Sequence, residues 1–162
     1  MAGNATLERI VAFIRSIGIE VREGRMSRKT LVPGIDIVRG TLLIEEQAMC
    51  MPADLLHEAA HIALTLPAGR SSLDGIMTTS GAEELSAIAW TWAASRHLEI
   101  DPADTFHEKL ISGNGPTLLE NFTAGRFVGV PMLQRWGLTL EPKNAAARGV
   151  DAYPHMLGWL RE

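Results

Sequence analysis

Residues 54–66 read DLLHEAAHIALTL, and the rest of the chain is best interpreted outward from them. Pro52 and Asp54 mark a helix start, and Pro67-Ala68-Gly69 mark its end. Leu55 and Leu56 precede His57-Glu58-Ala59-Ala60-His61, and Ile62, Leu64 and Leu66 follow it, so the helix is expected to be largely buried. Residues four apart share one helix face, with Cβ atoms about 5–6 Å apart. His57 and His61 can therefore converge on one zinc ion. Glu58 stands beside the first ligand, placed to act as a general base on zinc-activated water. With five His in 162 residues, chance placement would give this His-Glu-x-x-His pattern only about 0.01 times. Two imidazoles and a carboxylate on a buried helix are costly unless something engages them.

A His₂ pair needs a third protein ligand, with the fourth position left to water. Residues 62–67, IALTLP, supply no further histidine. The next long helix, expected over 82–98, opens with Glu83 and Glu84, 22 and 23 residues after His61. A loop of that length lets this helix return beside the first, so that either carboxylate completes a His₂Glu set; helix register favours Glu84. A purely structural zinc site fits less well. Such sites commonly fill all four positions, often with cysteine, and Cys50 is the single cysteine of the chain. With no activating neighbour in sequence, Cys50 reads as a small buried apolar residue.

Before the motif, residues 6–17 form an apolar stripe at helical spacing (Leu7, Ile10, Val11, Ile14, Ile17), with Thr6 as N-cap and Gly18 as stop. Residues 19–24 alternate as a strand. Residues 35–46 read as a hairpin turning at Arg39-Gly40. A small antiparallel sheet of about three strands follows. After the motif come a Gly/Ser/Thr-rich loop over 68–81, the helix over 82–98, a helix from Asp101-Pro102 to about 111, and helical segments near 117–124, 130–136 and 154–161. The class is α+β, mostly helical with the sheet near the N-terminus. No linker or repeat divides residues 1–162, which read as a single domain: a metal-bearing core over 1–98 and a helical part over 99–162.

The chain has 162 residues, 46% hydrophobic and 21% charged, with a formal charge of −4 and a pI near 5.7. This suits a globular chain able to bury a core, and argues against a nucleic-acid partner. No apolar run reaches the ~18 residues of a membrane span. Residues 1–18 are amphipathic without a secretory pattern, so the cytoplasm is the expected compartment.

The order of helix, small sheet, HExxH helix, loop and Glu-bearing helix resembles the gluzincin clan of zinc peptidases. More narrowly, it resembles the minimal ImmA/IrrE-type metallopeptidase core, over roughly residues 6–98. In that family the second helix carries a pattern close to E-x-x-A-N-x-F-A, and Glu84, Ala87 and Trp90 fall at its Glu, Ala and aromatic positions. Ile88 and Thr91 stand where the family often has Asn and Ala. The alternative register puts Glu83 at the ligand position, with Ser86 three residues on. The resemblance implies a zincin-like fold, a zinc cofactor and a peptide or protein substrate. It equally admits a metal-bound regulatory module with a protein partner and little turnover; a homo-oligomer is also consistent.

Hydrolysis further needs a donor for the developing oxyanion. Tyr153 and His155, near a turn in AYPHML, are candidates for catalytic donors, against a plainer reading as packing or surface residues. His97 suits a helix C-terminus, where positive charge is favoured. His107, with no His four residues on, reads as structural or exposed. Trp90 and Trp92 lie on different faces of one helix, so both faces are expected to be covered.

Overall fold

Helix α1 (Ala2–Ser16) buries the stripe its sequence sets out: Leu7, Ile10, Val11 and Ile14 are all nearly solvent-free. A computed structural model describes residues 2–75 and 81–162. Thr6 lies inside α1 and does not cap it, because the helix already begins at Ala2. Gly18 ends the helix as expected, with a φ of 98°. The chain forms two compact units, the first running to residue 78 and the second from 79 to Arg161.

In the first unit, β1 (Val21–Glu23), β2 (Ile35–Val38) and β3 (Thr41–Ile44) form one sheet in the order β1-β3-β2. The expected hairpin is present: β2 and β3 pair antiparallel, with Ile35 opposite Ile44 and Val38 opposite Thr41. Arg39 and Gly40 both have positive φ, 49° and 76°, the backbone of a tight two-residue hairpin turn. The expectation of an all-antiparallel sheet fails at β1, which pairs parallel with β3. Residues 24–34 carry the chain to the far edge before the hairpin returns β3 to the centre, so β3 runs with β1. The central position suits β3, whose Leu42 and Ile44 are buried. Asp36 is also buried, and Arg28 grips it with two bonds, Nε to Oδ2 at 2.8 Å and Nη2 to Oδ1 at 3.1 Å. A buried carboxylate needs such a partner.

Two 3₁₀ turns (Glu46–Ala48 and Leu110–Gly113) interrupt the connections. Helix α2 (Asp54–Ala63) carries the HExxH motif and packs on α1 and β2. It stops at Ala63, earlier than the apolar run to Leu66 suggested. Pro67 then opens a separate single turn, α3 (Pro67–Arg70), where a loop was expected. Of that expected loop, residues 76–80 lie outside the described residues. Cys50 is exposed, against the expectation of burial.

The second unit is built on α4 (Ala82–His97), whose residues Ser86–Ser95 are all buried. Around it lie α5 (Pro102–Thr105), α6 (Gly115–Thr123), α7 (Val130–Arg135) and α8 (Pro142–Arg148). The helix expected from 101 to 111 lasts one turn, capped by Asp101, whose carboxylate accepts from Ala103 N at 2.9 Å. The helix expected over 154–161 does not form, and α8 was not anticipated. Residues 153–158 lie along 138–140, bonded through Tyr153 N to Leu140 O (2.9 Å) and Leu157 N to Leu138 O (2.8 Å), with a bridge between Thr139 and Met156. These long-range backbone bonds replace the local helical ones. Both tryptophan faces of α4 are covered from within this unit: Trp92 by Phe106 and Phe122, Trp90 by Trp159. The class is α+β, with the helices predominating.

Candidate metal centre

All ten residues of α2 are buried, including its polar ones: His57 is 6%, Glu58 3% and His61 8% exposed. Asp54 stands in the first turn, where a negative charge offsets the helix dipole. The other end is held firmly. The Thr65 hydroxyl donates to His61 O at 2.7 Å, and Arg70 Nε donates to Thr65 O at 3.0 Å. The first bond satisfies a carbonyl that the helix leaves open, and the second ties down the residue that makes it. They also fix the turn that carries His61, a role for Thr65 and Arg70 that spacing alone did not reveal.

The two imidazoles converge as the i, i+4 spacing predicts. Their Nε2 atoms are 3.2 Å apart, with ring centroids 4.8 Å apart and ring planes at 87°. Two imidazole nitrogens bound to one zinc at about 2.0–2.1 Å each, at a tetrahedral angle, lie about 3.3 Å apart. The pair therefore fits an ion. The same separation also fits a proton shared between the rings. Glu58, one residue from His57 and on the same buried helix, is the carboxylate sequence placed beside them.

In the second unit, Glu83 and Glu84 occupy the first turn of α4, again where acidic side chains are favoured. Glu83 is exposed and Glu84 half-buried. The body of α4 accommodates buried hydroxyls by returning them to its own backbone: Ser86 Oγ to Ala82 O (2.6 Å), Thr91 Oγ1 to Ala87 O (2.7 Å) and Ser95 Oγ to Thr91 O (2.9 Å).

Tyr153 is buried, and its hydroxyl donates to Ala89 O on α4 at 2.8 Å. Burial raises the phenol well above its usual pKa, so it stays neutral and keeps donating. Its single proton is committed to the helix, which is the packing role. His155 is exposed, and its carbonyl accepts from Thr139 Oγ1 at 2.7 Å. His97 lies in the last turn of α4 with its ring 5.4 Å from that of Trp159. His107 is half-buried, with Nδ1 accepting from Lys109 N at 3.2 Å.

No family model matches this chain, and neither a curated protein nor a solved structure shows significant similarity to it. No helix among the described residues is long and apolar enough to cross a membrane.

Proposed function

We propose that the chain is a metal-dependent hydrolase of the gluzincin type, in which His57, His61 and Glu84 hold a zinc ion and peptides are the substrate class. The observation that carries this reading is the 3.2 Å approach of the two Nε2 atoms on a buried helix that also bears Glu58. The donor types support it: two imidazoles and one carboxylate are the ligand set of a His₂Glu zinc site. Half-buried Glu84 suits a ligand better than exposed Glu83.

Bound there, the ion would supply Lewis-acid chemistry, lowering the pKa of water toward 7 and polarising a carbonyl. Glu58 takes the proton of the attacking water on its carboxylate and returns it to the leaving amine. The low exposure of Glu58 keeps bulk water from competing for that proton. Tyr153 serves α4 as a packing anchor in this scheme.

Metal content tests the first half. Purified protein should carry about one zinc per chain, and His57→Ala should lose it. A metal-free wild type after zinc reconstitution would leave the shared proton as the reason for the 3.2 Å contact. Turnover tests the second half: Glu58→Gln should keep the metal and the fold and lose peptide hydrolysis. Metal binding with no turnover in the wild type would favour a regulatory module instead.

A further inference from the structure

Gly129 is the N-cap of α7, with φ 78° and ψ −12°, a left-handed conformation that suits glycine. Its position matters as much as its conformation. A Cβ built there would fall on the Leu85 carbonyl group and within 2.8 Å of Ser86 N. These are backbone atoms of α4, so no flexible side chain can swing aside. Two buried side chains, Val130 and Leu133, seat α7, which packs on α4. The Leu85–Ser86 peptide directly follows Glu84.

We propose that Gly129 is a positioning residue for Glu84: backbone meets backbone here, and the contact fixes the first turn of α4 and the direction of its carboxylate. The inference rests on the metal reading above. Carbon atoms essentially never approach such neighbours below 3.0 Å, so any side chain at 129 must displace α7 or the first turn of α4. A ligand must be held within about 0.5 Å of its working position. Residues that support a metal ligand typically change affinity by about 10–100-fold when altered.

The experiment is a zinc titration of the metal-free full-length chain, in the wild type, Gly129→Ala, Glu84→Gln and the double variant. Gly137→Ala is the control: Gly137 has φ 76° but open space around it, so it carries the backbone strain without the collision. Gly129→Ala should bind zinc about 10–100-fold more weakly than wild type. Gly137→Ala should bind as wild type. In the Glu84→Gln background, Gly129→Ala should cause no further loss, because its effect acts through Glu84. Equal losses in both backgrounds, or an unchanged affinity for Gly129→Ala, overturn the positioning role. Should Gly129→Ala not fold, Val130→Ala takes its place in the same cycle, since it loosens the seating of α7 while leaving Gly129 intact. A wild type that binds no zinc overturns the metal reading itself; a wild type that binds while Gly129→Ala matches it overturns only the positioning.

Discussion

Glu83 and Glu84 are adjacent in sequence and share one helical turn, yet one is exposed and the other half-buried. Only a carboxylate withdrawn from bulk water gains much from an ion. Glu84→Gln is therefore expected to weaken zinc binding by at least about tenfold, and Glu83→Gln to leave it within error, both read by titration. The reverse order would move the ligand to Glu83. Tyr153 makes a different kind of demand. Tyr153→Phe removes one buried hydrogen bond to Ala89 O and should cost about 1–2 kcal/mol in denaturant unfolding, with zinc affinity unchanged. Because burial raises its pKa in the folded chain, the proton on Tyr153 stabilises the fold fully below the ordinary value near 10. That contribution is lost as pH rises above 10 toward the folded value. The fall of unfolding free energy with pH above about 10 should therefore be shallower in Tyr153→Phe, read by denaturant unfolding at a series of alkaline pH values.

Where the sequence pattern is local and long, element and residue agree. The stripe of α1, the span of α4 and the convergence of His57 with His61 were all legible, because helical periodicity determines them within a few turns. The β2–β3 hairpin was legible through Arg39-Gly40. The parallel pairing of β1 was not, since strand order depends on where residues 24–34 travel. Residues 154–161 carry apolar side chains at a helix-like spacing, but Pro154 gives no N–H, and bonds from Tyr153 and Leu157 to residues 138 and 140 hold the segment out of a helix. The half-buried state of Glu84 and the backbone contact at Gly129 arise from tertiary packing and leave no periodic trace. Core and surface can be separated by two leucines. Leu42→Ala, at a fully buried site in the central strand, should cost about 2–5 kcal/mol. Leu31→Ala, 71% exposed, should stay within about 0.5 kcal/mol.

For the whole molecule, the proposed metal draws its ligands from residues 57 to 84, so its binding free energy adds to folding. With free zinc at about 100 times its dissociation constant, the gain is about 2.7 kcal/mol. A chelator should lower the melting temperature of the wild type, while His57→Ala should melt at the same temperature with and without it. The exposed thiol of Cys50 and the placement of the aromatic residues give the means to watch this happen. All four tryptophans, at 90, 92, 136 and 159, lie in the second unit, and the single cysteine lies in the first. Intrinsic emission therefore reports on residues 79–161 alone, and one maleimide dye on Cys50 reports on the first unit. The chain comes with two independent optical channels, each confined to one unit and obtained without altering a residue.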